Sequence, residues 1–500
     1  MQTEEKLSKE LADNLETMKR RFHSENNNDI VFRTFETKSG QPCFIVFIDG
    51  MASGQTVNDF ILRPFLVWEK EKVAPENVIQ ANSFKTSSSI EEAIKSVLSG
   101  DTAIFLDGSD VCYLCETKGF EHRSISTPTT ENTIKGAQEA FTESLRTNTT
   151  QMHRILRTEE LCSEFIPVGG INQDTCSIMY LDNVVNKKIL DEVRRRLCSI
   201  KGDNIMGSGM VEQMIEDNTF SLFPSLLSTE RPERAASYLA SGRIIILVDG
   251  SPFAIVLPVT LALLMDSPEG GNQRWQSGTF SRMIRLFAFF CTTMLSGTYL
   301  ALILFHREMI PTALLGAIMS ARANIPFPSL FEVLVMELFF ELVREASLRI
   351  PGMLGSAIGI VGGLILGQAS VEANLVSPVT LIIVALSGVG NAALPDYDLA
   401  FGIRVIKIFV IIMGASLGFL GLAIAVSTVI TVLANQNSFG VPMLSMEGLK
   451  WSANTPLPIQ IPLWKQEYRP RELHPQKPVQ APRISRPWAR KQKEEGPPDA

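Results

Sequence analysis

The sequence predicts a mixed fold: a soluble α/β domain of two subdomains, an all-α membrane domain with several spans, and a disordered basic tail. The first observation is charge density, since residues 1–243 hold 36 acidic and 27 basic side chains whereas residues 244–450 hold only 12 and 10. The second is a glycine at every fourth position within residues 355–371. Such a row of small residues is typical of membrane helices that pack closely.

The N-terminal portion alternates between helical and strand patterns, which indicates an α/β fold. Short apolar runs at 43–48 and 244–248 predict buried strands, and each is followed by Asp-Gly, a turn signal. The two Asp-Gly pairs raise the possibility of related halves, but the similarity is too short to define a repeat. We place the subdomains at residues 1–128 and 129–258.

Several functions are disfavoured by what this portion lacks. Residues 1–243 contain no phosphate-binding loop, dinucleotide fingerprint or nucleophile elbow. Cys112 and Cys115 form a lone CxxC, which a strand carrying two cysteines explains better than a metal or redox site. The run Arg194–Arg196 is better explained as a solvated helix face than as a nucleic-acid or lipid contact. We therefore expect no enzyme, cofactor, metal or nucleic-acid partner.

The membrane domain is assigned to residues 259–445. A bilayer core requires about 20 apolar residues, and the predicted spans lie near 286–305, 354–373, 378–395 and 406–434. Residues 244–264 are also apolar, but Asp249, Pro252 and Pro258 interrupt them. We interpret that stretch as a strand followed by a segment at the membrane surface. Residues 446–500 are rich in proline and in basic side chains, which predicts a disordered tail.

Glycines are the predicted helix-packing residues. At helical spacing, one bare ridge forms in the span at 354–373 and a second in the span at 406–434. A soluble helix has little reason to carry four glycines on one face, because each costs about 1 kcal/mol relative to alanine. The alternative, a glycine-rich strand and turn of a soluble protein, is therefore disfavoured. The packing residues are Gly355, Gly359, Gly363, Gly367, Gly414 and Gly418.

Residues 328–350 predict a helix with charges on one face and large apolar residues on the other. Ionisable residues in membrane segments usually face the bundle interior or water. The helix therefore either lies in the interface, where its charges are ordinary helical neighbours, or lines a wet path between subunits, and the sequence leaves both open. Glu332 lies in the first turn, where the helix dipole favours an acid. The candidate pore or polar stripe comprises Glu337, Glu341, Arg344, Glu345 and Gln368.

Orientation follows from the charges and from the termini. The N-terminus has no apolar core of a signal peptide, and the tail is basic, so both ends are expected in the cytoplasm. Two ends on one side require an even number of crossings, which the four spans satisfy. If residues 328–350 also cross, residues 244–264 must cross as well, or one end is misplaced.

Long ordered motifs in the second half of the chain resemble the GerA-type spore germination receptor family, A subunit. The resemblance covers roughly residues 130–445. Residues 1–130 agree with the family in their general arrangement more than in residue identity. Two stretches depart from the family pattern, at Arg322-Ala323-Asn324 and in the polar residues 391–398. The motifs lie at 207–259, 306–315, 325–351, 360–386 and 438–445.

The resemblance implies a subunit of a nutrient receptor in the inner membrane of bacterial endospores, with the N-terminal domain and tail on the core side. It implies as partners a transporter-like B subunit, a lipoprotein C subunit, membrane lipid and further copies of the chain in a homo-oligomer. It also implies that ions pass when a nutrient binds. An alternative class is a secondary transporter, although four spans are few and no interrupted helices occur in matching halves. A membrane-anchored enzyme is a third.

Overall fold

A computed structural model describes residues 6–69, 74–81, 83–119, 128, 131, 133, 135–171, 173–267, 269–350, 353–445 and 459–481. These residues form two five-stranded antiparallel sheets with helices on both faces, followed by a helical bundle. The predicted fold class, α/β followed by all-α, is thereby confirmed.

The first sheet has the order β1-β2-β4-β5-β3. Its strands are β1 (Ile30–Glu36), β2 (Pro42–Ile48), β3 (Phe84–Ser87), β4 (Thr102–Leu106) and β5 (Cys112–Cys115). Its helices are α1 (Leu11–Arg21), α2 (Gly54–Val57), α3 (Arg63–Leu66) and α4 (Ile90–Val97), with a π-helical turn at Asn58–Leu62 between α2 and α3. Helices α1 and α4 bury one face of the sheet, and the α2–α3 segment buries the other.

The second sheet has the order β6-β7-β9-β10-β8. Its strands are β6 (Leu161–Val168), β7 (Asp174–Leu181), β8 (Leu227–Thr229), β9 (Ile244–Val248) and β10 (Ala254–Leu257). The helices around it are α5 (Leu145–Ile155), α6 (Lys187–Ser199), α7 (Ser208–Ile215), α8 (Pro232–Ala240) and the short α9 (Leu261–Leu264). Residues 244–257 therefore belong largely to this sheet, and the predicted membrane-surface segment is corrected for residues 254–257, because they form the fully buried strand β10. For residues 258–264 it stays a prediction.

The two sheets have the same strand order, so the halves of the soluble portion are structurally related. Their equivalent hairpins, β4–β5 and β9–β10, are each joined by five residues that begin Asp-Gly-Ser. Gly108 and Gly250 occupy the same position with φ of 76° and 77°, a conformation that favours glycine. The counterpart of Asp249-Gly250 is thus Asp107-Gly108, and not the pair at 49–50 that the sequence pointed to.

The C-terminal half forms a bundle of helices. They are α10 (Trp275–Phe305), α11 (Thr312–Arg322), α12 (Ser329–Arg349), α13 (Met353–Glu372), α14 (Pro378–Ala392), α15 (Tyr397–Leu417) and α16 (Phe419–Asn435). Among the described residues, α10 and α15 are long and apolar enough to cross a membrane, and α14 and α16 are shorter apolar helices.

The single span predicted at 406–434 is instead two helices, α15 and α16, that meet at Gly418. Gly418 has φ of 63° and ends α15. A Cβ at Gly402, near the start of α15, would lie 1.9 Å from Leu222 O. Gln436, just after α16, donates to Phe223 O in the same loop. Both outer ends therefore lie beside the soluble portion, and the two helices form an antiparallel hairpin.

Helix α12 lies inside the bundle, antiparallel to α15, because Glu337 contacts Lys407 and Glu341 contacts Arg404. Helix α12 therefore packs against another helix of the bundle, and the two predicted alternatives, an interfacial helix and a wet path between subunits, stay predictions. The contacting residues show that α14 is likewise antiparallel to α10, and that α13 is antiparallel to α12. Helices α10 and α12 to α16 thus run alternately away from and toward the soluble portion.

Part of the predicted disordered tail has a defined place on the second subdomain. Leu473 is buried in the core between α6 and the sheet. Gln476 N donates to Val184 O, and Arg469 Nε donates to Ala240 O. The prediction of disorder is corrected for residues 459–481, and residues 446–458 and 482–500 lie outside the described part of the chain. A small hairpin of β11 (Asn437–Ser438) and β12 (Val441–Pro442) follows the bundle.

Candidate functional site

A buried ion pair joins α12 to α15 in the middle of the bundle. Glu337 Oε2 lies 2.5 Å from Lys407 Nζ, and Ser296 Oγ on α10 donates to Glu337 Oε1 at 3.1 Å. Glu337 and Lys407 are only 6% and 4% exposed. Each charge is too costly to bury alone, so the pair fixes how the two helices face each other.

A second charged group lies on the same two helices, closer to the soluble portion. Arg404 Nε lies 3.4 Å from Glu341 Oε1, and Arg344 Nη2 lies 2.5 Å from Glu341 Oε2. The guanidinium of Arg404 also lies over the rings of Tyr397 and Phe401, at 6.0 and 5.4 Å from their centroids. Glu341 is therefore shared by two cations.

A third group is centred on Glu332, which is almost fully buried. Arg322 Nη2 lies 3.0 Å from one carboxylate oxygen of Glu332, and Ser377 N and Thr380 Oγ1 donate to the other. The sequence attributed this acid to the helix dipole alone. The structure shows instead that Glu332 ties α12 to α11 and α14.

The predicted stripe is divided by these contacts. Glu345 pairs with Arg349 at 2.8 Å on an exposed part of α12, and Gln368 donates to Glu372 on the exposed side of α13. Glu337 and Glu341 meet cations of another helix, whereas among the described residues Glu345 and Gln368 form polar contacts within their own helices. Those cations, Arg404 and Lys407, are not among the predicted site residues. The sequence signal that could have identified them is two basic residues, three positions apart, in an otherwise apolar helix.

The glycine ridge of α13 faces helices of the same chain. A Cβ at Gly359 would lie 2.7 Å from Ser347 Oγ, and one at Gly363 would lie 3.8 Å from the Phe340 ring, both on α12. Gly367 instead faces Leu381 on α14, where a Cβ would lie 3.0 Å from Cδ1. The surroundings of Gly355 lie outside what the structure describes.

The two glycines of α15 have different roles. A Cβ at Gly414 would lie 2.6 Å from Gly297 O, so α10 and α15 touch backbone to backbone there. Gly418 forms the turn between α15 and α16, where a positive φ is required. Gly418 is therefore a turn residue, and it also lies close to the end of α10, because a Cβ there would be 2.9 Å from His306 Cε1 and 3.1 Å from Phe305 Cβ.

The CxxC pair has no shared site. Cys112 and Cys115 are three residues apart on β5, so their side chains point to opposite faces of the sheet and join different cores. Burial raises the pKa of each thiol to about 12, so both stay protonated at neutral pH. In the described ranges, no group of three or more His, Cys, Asp or Glu side chains could hold a metal ion.

A polar cleft of about 400 Å³ lies between the two subdomains. Arg146 on α5 lines it and bridges the subdomains, with Nη1 2.8 Å from buried Asp29 and Nη2 3.0 Å from Asp49. His153 Nε2 lies 3.1 Å from the other oxygen of Asp29. Hydroxyl, amide and guanidinium groups line the cleft, so it could hold a small polar molecule.

Direct hydrogen bonds connect the second subdomain to the end of the helical hairpin. Ser221 Oγ donates to Gln436 Oε1 at 2.7 Å, and Ser438 Oγ donates to Ser225 O at 2.6 Å. Phe439 N donates to Asp217 Oδ2 at 2.6 Å. We call residues 217–225 together with 436–439 the joint. The joint thereby connects the second subdomain to the C-terminal end of α16.

The fold and these contacts define a class of protein: a cleft-bearing α/β portion fixed to a bundle of apolar helices that bury paired charges. The family model described as Bacillus/Clostridium GerA spore germination protein matches residues 16–472. Spore germination protein KA of Bacillus subtilis is 34% identical over 96% of this chain and 90% of its own length. Spore germination protein A1 of the same organism is 36% identical over 86% and 89%.

A solved structure is also similar to the first half of the chain. The N-terminal domain of the A subunit of the Bacillus megaterium spore germinant receptor GerK3 is 28% identical, with a TM-score of 0.39, over 51% of this chain and 98% of that one. The chain belongs to the GerA family of spore germination proteins. Membership supports a role in spore germination, and with the two long apolar helices it indicates a membrane-associated protein.

Proposed function

We propose that this chain is the A subunit of a nutrient germinant receptor in the spore inner membrane, where it converts germinant binding into ion release. The observation that carries the proposal is the joint, which connects a cleft-bearing soluble portion to helices with buried charges. A ligand that changes the relative position of the two subdomains would move Arg146, which contacts both. The joint would then pass that motion to α15 and α16.

In the proposed topology, six helices, α10 and α12 to α16, cross the membrane. Helix α12 adds one crossing to the four spans of the sequence prediction, and the break at Gly418 adds another. The number stays even, so the soluble portion and the tail remain on the same side, the spore core. Buried ion pairs satisfy Glu337 with Lys407 and Glu332 with Arg322 within this bundle.

The ion path is proposed to lie between copies of the chain in a homo-oligomer. Inside one chain, Glu337 is fully occupied by Lys407 and Ser296, so its role is to position α12. The exposed polar groups of the stripe, Glu345 and Gln368, remain available to a path between subunits, with Arg344 and Glu341 half-exposed beside them. The exposed apolar face of α13 faces lipid or the next subunit.

Potassium release from spores tests the path. In spores carrying Glu341→Gln, Glu345→Gln or Gln368→Leu, we expect potassium efflux after nutrient addition to change several-fold while receptor levels stay normal. Glu337→Gln is expected to change it through helix position. Ser427→Ala is a control, because that exposed hydroxyl bonds only to its own helix. Normal efflux in all three stripe variants would reject the proposed path.

The proposed partners are a transporter-like B subunit and a lipoprotein C subunit. Isolation of the full-length chain from spore membranes should recover both, whereas recovery of neither would contradict a receptor complex. The alternative function is a secondary transporter of a small nutrient or ion. Uptake of labelled nutrient into vesicles that contain this chain alone would favour that alternative.

A further inference from the structure

Two guanidinium groups share one carboxylate at the end of the bundle nearest the soluble portion. Arg404 and Arg344 both pair with Glu341. In the part of the chain that the structure describes, neither arginine pairs with a second carboxylate. The neighbouring Lys407 is neutralised by its own partner, Glu337. This group therefore carries one positive charge in excess.

Two N–H donors of the group are buried without a partner. They are Nη2 of Arg404, which is only 6% exposed, and Nε of Arg344. Asn391, with its amide turned to suit its neighbours, accepts from Arg404 Nη1 at 3.2 Å. An unpaired buried donor costs about 1–3 kcal/mol, and more when it is charged. An anion at this place would satisfy both donors and the excess charge.

The place of the Arg404, Arg344 and Glu341 group in the bundle indicates what kind of anion it would bind. Arg404 lies seven residues into α15, or about 10 Å along its axis at 1.5 Å per residue, from the end beside the soluble portion. The rings of Tyr397 and Phe401 that cover it are 59% and 53% exposed, and aromatic rings concentrate at the headgroup level of a bilayer. The side chain of Arg344 is 31% exposed, so the group opens to the outer surface of the bundle.

We propose that Arg404 and Arg344 bind the phosphate group of an acidic phospholipid in the leaflet next to the soluble portion. Basic pockets between membrane helices on the cytoplasmic side recognise anionic headgroups, and guanidinium groups match phosphate oxygens in geometry. The inference rests on the membrane crossing of α12 and α15 proposed above. It does not depend on ion conduction.

The test measures which lipids stay bound to the full-length chain. The protein is placed in nanodiscs of equal phosphatidylglycerol and phosphatidylcholine, and retained lipids are counted by native mass spectrometry after extraction. We expect the wild type to retain phosphatidylglycerol preferentially. Arg404→Gln and Arg344→Gln should lower that retention at least fivefold. Arg349→Gln, which breaks an exposed one-to-one pair on the same helix, should leave it unchanged.

The variant Glu341→Gln should give a result that would not follow if Arg404 and Arg344 had a purely structural role. It removes the only carboxylate of the group, so retention of phosphatidylglycerol should rise above the wild-type value. Stabilisation of the lipid-free protein in detergent by inorganic phosphate, abolished by Arg404→Gln, would assign the site to free phosphate. Stabilisation by phosphatidylglycerol alone would assign it to lipid.

Three outcomes would overturn the proposal. The first is equal retention of the two lipids by the wild type. The second is a loss of phosphatidylglycerol in Glu341→Gln to the level of Arg404→Gln. The third is dissociation of an oligomer in the two arginine variants with no change in bound lipid, which would show that a second copy of the chain supplies the missing carboxylate. Failure of the wild type to enter nanodiscs would instead reject the proposed topology.

Discussion

Glu337 and Glu345 lie about two turns apart on α12, yet their surroundings give them different roles. Glu337 is buried and accepts from Lys407 on α15 and Ser296 on α10. Glu345 is exposed and contacts only Arg349, one turn away on its own helix. The sequence identified both as acids of one stripe. It could not separate them, because the cations that make the difference come from a helix more than 50 residues further along the chain.

Replacing one member of the Glu337–Lys407 pair should destabilise the protein more than replacing both. Glu337→Met or Lys407→Met leaves an unpaired buried charge, so each should lower the free energy of unfolding by about 3–5 kcal/mol. The double variant Glu337→Met with Lys407→Met should recover most of that loss, because no charge remains. Thermal unfolding in detergent measures both effects. Additive losses in the double variant would show that the two charges do not act as a pair.

Glu212 on α7 should make the soluble portion less stable as the pH rises. Burial, together with the negative charge of Asp398, raises the pKa of Glu212 from 4.5 to about 7. The folded state therefore binds this proton more tightly than the unfolded state, and the free energy of unfolding falls between about pH 4.5 and 7. Glu212→Gln should remove that fall and gain about 3 kcal/mol at pH 8, since one pKa unit is worth roughly 1.4 kcal/mol.

Melting temperatures of the full-length chain between pH 5 and 8 check this prediction. Glu192→Gln is the control of opposite sign, because Arg195 and Arg196 lower the pKa of Glu192 to about 2. The ionised Glu192 carboxylate stabilises the folded state above about pH 4.5. That stabilisation is lost as the pH falls through the pKa that Glu192 has in the folded state. Glu192→Gln should therefore give no gain at pH 8. An equal gain in both variants would contradict the assignment to Glu212.

At the scale of elements, the glycine spacing could predict close helix packing but not its partners. Gly359 and Gly363 meet α12, Gly367 meets α14, and Gly414 meets α10. Helix periodicity places residues on a common face, whereas the neighbour of that face depends on how all the helices assemble. Gly418 shows a second limit, because a glycine that ends a helix has the same spacing as one that continues it.

The contact between α10 and α15 gives an element-scale prediction. A side chain at Gly414 would meet the backbone of Gly297, which cannot move aside as a flexible side chain can. Gly414→Leu should therefore separate the two helices and reduce folded protein in membranes severely. Gly316→Leu on α11 is the matched control, because a Cβ there meets nothing within 4 Å. Equal yields of the two variants, measured by gel filtration in detergent, would refute close backbone contact.

At the scale of the whole molecule, the sequence predicted the fold class because charge density and periodicity are local properties. The relation between the two halves was not readable, since it resides in a strand order that only the assembled sheets reveal. The tail was predicted as disordered from its composition alone. Leu473 nevertheless lies in the core of the second subdomain, and the Gln476 amide donates to the carbonyls of Asp182 and Val185, just before α6. Those contacts join residues nearly 300 positions apart.

The joint gives the prediction that spans the whole chain. If germinant binding acts on α15 and α16 through the second subdomain, weakening the joint should impair signalling more than folding. Gln436→Ala with Ser438→Ala removes the hydrogen bonds to the loop at 221–225 and the bond from Val259 N to Ser438 Oγ, while the apolar contacts of Phe439 and Val441 with the core remain. We expect spores with this double variant to keep normal receptor levels but to release potassium at least several-fold more slowly after nutrient addition.

Ser427→Ala with Thr431→Ala is the matched control for that experiment. These hydroxyls lie on α16, are exposed and donate only to carbonyls of the same helix. Their removal should leave potassium release unchanged, because it breaks no bond between the two parts of the protein. If the joint variant releases potassium at the control rate, motion reaches the bundle by another route. The close approach of Leu222 O to Gly402 then offers a direct route from that loop to α15.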